Sequence, residues 1–218
     1  MSAKADAVFA RFEEVGIIPV VVLEDAKDAK ELGKALMEGG LPAAEVTFRT
    51  EAAEESIRIL AEEYPDMLVG AGTVLTTQQA DRAVAAGAKF VVAPGLDKEV
   101  VRHCLKKDIP VCPGTQTATE MMRAMKLGLT HVKFFPAENA GGLKMIKAIG
   151  SALTSLRFMP TGGISADNVS DYLKNEKIFC CGGSWMVKAD MIRAGEFDKI
   201  REKVAEAAEI VKKLRADA

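Results

Sequence analysis

The stretch 109–136, IPVCPGTQTATEMMRAMKLGLTHVKFFP, holds one complete folding unit of this chain. Two short apolar runs, 109–113 and 131–136, flank a segment, 117–127, whose apolar residues recur three and four apart, the spacing of an amphipathic helix. Short runs bounded by turn chemistry read as strands, and an unbroken apolar run signals burial on both faces. Gly128 follows the helical segment where a left-handed cap is wanted. The unit therefore reads strand, loop, helix, loop, strand, and a helical crossover of this kind joins parallel strands.

The same beat extends in both directions. Apolar runs at 17–23, 43–48, 68–73, 90–94, 109–113, 131–136, 157–161 and 178–182 have centres roughly 19 to 26 residues apart, the size of a compact βα unit. Between them, 26–38, 51–63, 77–86, 98–107, 117–127 and 143–149 carry helical spacing, and Gly39-Gly40, Gly87, Gly128 and Gly150 mark helix ends. Helices at 3–14 and 197–214 flank the series, with no linker or low-complexity segment. Eight βα units in 218 residues predict one α/β domain, 1–218, folded as a (β/α)8 TIM barrel with an extra N-terminal helix. An open doubly wound sheet shares the alternation. It fits less well, because VVVLED (20–25) stands where a G-x-G-x-x-G would follow the first strand.

Composition narrows the function classes. With 49% hydrophobic and 28% charged residues the chain can bury a sizeable core, which excludes disorder. Lys+Arg 29 against Asp+Glu 31 leaves a net charge of -2 and no basic footprint for nucleic acid. Cys180 and Cys181 are adjacent, and Cys104 and Cys112 lack metal-finger spacing, so a disulfide framework is not expected and a cytoplasmic location is. The longest apolar stretch, 16–23, falls far short of the ~20 residues of a bilayer span, and the charged N-terminus (Lys4, Asp6, Arg11) does not read as a signal peptide.

Barrel enzymes work at the C-terminal ends of their strands, so polar interruptions of the apolar runs there carry weight. Lys133 interrupts HVKFFP (131–136) in mid-strand, where a charged amine is costly unless paired or neutralised. A neutral buried amine attacks carbonyls to form a Schiff base. The structural alternative is an ion pair alone. Glu45 interrupts AAEVTFRT (43–50), and strand alternation puts Glu45, Thr47 and Arg49 on one face. On a lumen-facing strand Glu45 can approach Lys133, as proton shuttle or as counter-ion. Arg49 offers a fork for a carboxylate or phosphate, and Thr73, after Gly70-Ala71-Gly72, offers a hydroxyl. Individually these are more often a surface arginine and a helix N-cap.

Two glycine pairs say more. TGGIS (161–165) follows the seventh run and CGGSW (181–185) the eighth, where barrels frequently build a phosphate site from backbone N–H groups and a helix start. The remaining candidates read as structural: His103 as a surface residue, His131 as a local cap, and Met121, Met122 and Met125 as helix packing. No His and carboxylate spacing suggests a metal centre. On the residues alone three functions stay open: an imine-forming aldolase, a phosphosugar epimerase with Glu45 as base, and a non-catalytic phosphate-ligand barrel.

The ordered motifs Ile18-Pro19-Val20, Glu45-Val46-Thr47-Phe48-Arg49-Thr50, Gly70-Ala71-Gly72-Thr73-Val74, Lys133-Phe134-Phe135-Pro136-Ala137-Glu138 and both glycine pairs resemble the class I KHG/KDPG aldolases over nearly the whole chain. The resemblance implies Lys133 as the Schiff-base lysine, Glu45 as proton shuttle, Arg49 and Thr73 as ligands of the pyruvyl carboxylate, Gly162, Gly163, Gly183 and Ser184 around the phosphate, and Thr161 as a further substrate-binding residue. It implies cleavage of 2-dehydro-3-deoxy-6-phosphogluconate to pyruvate and glyceraldehyde 3-phosphate, as in the Entner-Doudoroff pathway, and of 4-hydroxy-2-oxoglutarate to pyruvate and glyoxylate. It further implies no metal or other cofactor, a homotrimer, and, from Thr161, the gluconate rather than the galactonate epimer.

Overall fold

A computed structural model describes residues 2–216; residues 1, 217 and 218 of the expected domain 1–218 lie outside the described residues. Nine parallel strand segments alternate with helices. They are β1 (Ile17–Val21), β2 (Ala43–Thr47), β3 (Leu68–Gly72), β4 (Val91–Val92), β5 (Val111–Cys112), β6 (Gly114–Thr115), β7 (His131–Phe134), β8 (Arg157–Pro160) and β9 (Cys181–Gly183). The helices are α1 (Ala3–Val15), α2 (Ala29–Glu38), α3 (Ala53–Glu63), α4 (Thr77–Ala85), α5 (Lys98–Lys106), α6 (Ala118–Lys126), α7 (Gly142–Ala152), α8 (Val169–Leu173), α9 (Ala189–Arg193) and α10 (Phe197–Ala216).

The strands form a curled parallel sheet in two hydrogen-bonded pieces, β5-β4-β3-β2-β1-β9 and β6-β7-β8. One residue, Pro113, separates β5 from β6. Proline has no N–H for the ladder, so pairing breaks at the end of the expected run 109–113 and resumes beyond it at Gly114, although the Pro113 carbonyl still accepts the Lys133 N–H at 2.9 Å. At the other seam, isolated parallel bridges join Phe158 to Ile178 and Thr161 to Gly182. The last strand accordingly begins at Cys181, three residues later than the apolar run suggests. Strands β1 to β3 are buried along their full length, which is why they read as apolar runs and why Glu45 stands out in β2.

The helices cover the outside with their apolar faces inward. Three starts are capped by threonine or aspartate: Thr76, Asp97 and Thr117 accept from backbone N–H groups at the heads of α4, α5 and α6, and Thr117 and Glu120 form a reciprocal capping box. Gly40, Gly87 and Gly128 adopt positive φ at helix ends, whereas Gly150 lies inside α7 and does not cap it. Met121 is buried, and Met122 on the same helix is exposed.

Helix α1 closes the N-terminal side of the sheet. Its Phe12 meets Phe90 edge-on at 4.6 Å, and Phe9 stacks on the imidazole of His131 at 4.3 Å, pairs that each add about 0.5–1.5 kcal/mol beyond burial. This environment pushes the His131 imidazole down to about 4, mainly by burial, with Arg157 adding to the effect. A histidine whose folded value lies below its unfolded ~6.5 is protonated first in the unfolded chain. Its contribution is therefore full above pH 6.5 and lost as pH falls toward 4. Between pH 7 and 5 we expect the wild type to lose roughly 1–2 kcal/mol more stability than His131→Phe, which keeps the stack without the titration. Urea midpoints at both pH values would test this, and parallel losses in the two proteins would contradict it.

Candidate functional site

The candidate polar residues stand in or just past β2, β3, β7, β8 and β9. Lys133 in β7 is 5% exposed and Glu45 in β2 is 1% exposed. They are 88 residues apart in sequence, yet the Lys133 ammonium donates to Glu45 Oε1 at 3.2 Å. The same ammonium lies 5.4 Å from the centre of the Phe135 ring, a further stabilising contact for a cation. A buried ion pair returns little net stability, because desolvation offsets its attraction. The other Glu45 oxygen, Oε2, is buried without a hydrogen-bond partner among the described residues. Orphaned buried acceptors call for an explanation, and a substrate hydroxyl or water at this point would supply one.

The room for Glu45 comes from β3. A Cβ on Gly72 would fall 2.1 Å from Glu45 Oε1, so any side chain at 72 would displace the carboxylate. Thr47, two residues along from Glu45, donates to the Val21 carbonyl at 2.9 Å and accepts from Arg49 Nε at 3.2 Å. This contact orients Arg49 at the strand end, where it is otherwise exposed. Thr73, just past β3, has φ of 54°. For a β-branched residue that is strained, at about 1–3 kcal/mol, and such strain clusters at functional sites. Among the described residues no hydrogen bond links Arg49 or Thr73 to Lys133.

The two glycine pairs lie side by side across the Thr161–Gly182 bridge. Gly162 and Gly163 have φ of 96° and 80°, which side chains resist. Gly183 is glycine for another reason: a Cβ there would fall 2.0 Å from the Trp185 ring. Ser184 follows, exposed. The Thr161 hydroxyl is buried without a partner among the described residues. The helix after Gly163, α8, is only five residues long and begins six residues later, so the helix-start contribution expected for this loop is not built in. A cavity of about 540 Å³ lies at the opposite end of the sheet, lined by Arg11, Leu41, Ala208 and Val211 among others; it holds none of these groups.

Several contributors carry little signal in the sequence. Gly72 shows there only as part of a small-residue strand. Asn168 belongs to an Asn-Val-Ser triplet resembling a glycosylation signal, but its side chain accepts from Ser165 N–H and donates to the Gly163 carbonyl, both at 2.9 Å; asparagine at a turn ahead of a helix is the available signal. His103, expected at the surface, is partly buried and bonds Asp81 at 2.8 Å, beside Lys107. All four cysteines are free and buried, and burial pushes the Cys104 thiol up to about 11 and raises those of Cys112, Cys180 and Cys181 well above the ordinary range, away from nucleophilic reactivity. Among the described residues no cluster of three or more His, Cys, Asp or Glu is placed to hold a metal, and no helix is long and apolar enough to cross a membrane.

A family model described as KDPG and KHG aldolase matches residues 8–203. A 2-dehydro-3-deoxy-phosphogluconate aldolase of Treponema pallidum is 47% identical over 204 residues, covering 94% of this chain and 97% of that protein. Among solved structures, a KDPG aldolase from Legionella pneumophila with pyruvate captured as a covalent carbinolamine is 39% identical, with TM-score 0.87 over 94% of this chain and 97% of that one. A 2-keto-3-deoxy-6-phosphogluconate aldolase of Zymomonas mobilis with 3-phosphoglycerate is 41% identical, with TM-score 0.85 over 94% of both chains.

Proposed function

The chain belongs to the KDPG and KHG aldolase family, and from this premise we propose how its own residues perform class I aldol cleavage. The substrate in this reading is 2-dehydro-3-deoxy-6-phosphogluconate, and 4-hydroxy-2-oxoglutarate is a second one. The observation that carries the reading is the buried Lys133–Glu45 pair, 3.2 Å apart at the strand ends. It stabilises the fold little, and it places a base within reach of an amine.

Glu45 takes the ammonium proton, and the free Lys133 amine attacks the C2 ketone. Glu45 returns that proton to the carbinolamine hydroxyl, which leaves as water and gives a protonated imine that accepts the C3–C4 bonding electrons when that bond breaks. Glu45 removes the C4 hydroxyl proton as glyceraldehyde 3-phosphate departs. Glu45 then passes that proton to C3 of the enamine, and water hydrolyses the resulting imine to release pyruvate and the lysine. Arg49 and Thr73 hold the ketoacid carboxylate. Gly162, Gly163, Gly183 and Ser184 surround the phosphate. Thr161 favours the gluconate epimer, its orphaned hydroxyl being free to receive a substrate group.

We further propose that the strands close into an eight-stranded (β/α)8 barrel, with α1 as an added N-terminal helix. Support comes from the single-residue join at Pro113 and the bridges between β8 and β9. One domain spanning 1–218, a homotrimeric assembly and a cytoplasmic location complete the proposal.

Borohydride reduces an imine to a stable secondary amine, so incubating the protein with pyruvate and borohydride, followed by peptide mapping, tests the covalent step. We expect a reduced pyruvyl adduct on Lys133. Folded protein without an adduct at saturating pyruvate would turn the reading toward an epimerase or a binding barrel.

A further inference from the structure

Phosphate recognition at 161–163, the reading on which this inference rests, requires backbone N–H groups that the protein leaves free. Three consecutive carbonyls of this loop are occupied. Thr161 O accepts from Ala137 N–H at 2.8 Å, Gly162 O accepts from Glu138 N–H at 3.1 Å, and Gly163 O accepts from the Asn168 side chain at 2.9 Å. The Gly163 N–H donates to nothing among the described residues. Loop conformation is thus set from its carbonyl side, and Glu138 is central to it.

Glu138 follows β7, five residues after Lys133. Its carboxylate accepts from the hydroxyl of Tyr172 in α8. Tyr172 is buried, and burial together with Glu138 raises its phenol well above the ordinary range, so it stays a donor. The Glu138 side chain fills the space beside Gly163, where a Cβ would meet it at 2.5 Å. A Cβ at Gly142 would lie 2.9 Å from both Glu138 Oε1 and the Tyr172 hydroxyl. The glycines at 142 and 163 leave room for this pair, and the aldol chemistry makes no use of it.

We propose that Glu138 and Tyr172 are positioning residues for the phosphate: the Tyr172–Glu138 hydrogen bond ties α8 to the segment after β7 and fixes the loop carbonyls away from the anion. The pair does not touch the reacting carbons. Its loss loosens phosphate recognition and leaves imine formation intact.

Tyr172→Phe removes only the hydroxyl, Glu138→Ala removes the acceptor, and Glu138→Gln keeps an acceptor oxygen. One net hydrogen bond corresponds to about a 3- to 10-fold change in binding. We expect Tyr172→Phe and Glu138→Ala to raise KM for the phosphorylated ketoacid by about that factor with kcat within about 2-fold, and Glu138→Gln to recover most of it. The rate of pyruvate trapping by borohydride, which involves no phosphate, should not move. Unchanged KM, or equal losses in cleavage and pyruvate trapping, overturns the positioning role. Inorganic phosphate as a competitor of the wild type separates the two levels: without competition the phosphate reading itself fails, and with competition but silent variants only the Glu138–Tyr172 role does.

Discussion

Lys133→Ala is expected to abolish aldol cleavage, lowering kcat on the order of 10⁴-fold or more, because the covalent route is lost with its nucleophile. An ion-pairing role alone would predict a different pattern. Deleting one member of a buried pair leaves the other charge uncompensated, at about 3–5 kcal/mol, whereas replacing both with apolar residues of similar volume is often neutral. Lys133→Met should therefore destabilise the protein, and Lys133→Met combined with Glu45→Leu should recover stability without recovering any activity. Denaturant midpoints and pyruvate release measured on the same three proteins separate the roles. Residual turnover near wild type in a folded Lys133→Ala protein would end the imine mechanism.

Lys133 and Glu45 stand out in the sequence for an energetic reason. Both interrupt runs that burial would otherwise keep apolar, and a charge in such a place needs either a partner or a task. The βα beat is legible for a related reason, since strands buried on both faces cannot hide among polar residues. What is illegible depends on long-range contacts. The division of a strand at Pro113 is a matter of one missing N–H in the ladder. Helices α8 and α9 span five residues each, too short to show a period. The glycines at 72, 142, 163 and 183 answer to Glu45, Glu138, Tyr172 and Trp185. Of these, only Trp185 and Glu138 lie within a few residues of a glycine they crowd; Glu45 and Tyr172 are brought in by the fold. The 161–165 and 181–185 segments read as anion loops from their glycine pairs and their place after the seventh and eighth runs, yet the glycines at 163 and 183 also give steric clearance to Glu138 and Trp185.

Glu45→Gln carries the second large effect. The amide keeps the shape and an acceptor oxygen for Lys133, but it neither takes the ammonium proton nor removes the proton from the C4 hydroxyl. General acid–base catalysis by a positioned carboxylate contributes about 10²–10⁴-fold, and we expect kcat to fall within that range while KM changes little, the pattern of an interaction made only in the transition state. Pyruvate trapping on Lys133 should slow yet still proceed, because the amine remains and solvent can replace the shuttle. Three outcomes then sort the chemistry. Slowed cleavage with an adduct on Lys133 assigns the proton transfers to Glu45. Full activity reduces Glu45 to a counter-ion, and its orphaned Oε2 would then need another explanation. Lost activity with no adduct in the wild type either would leave Glu45 as a base acting without an imine, the behaviour of an epimerase.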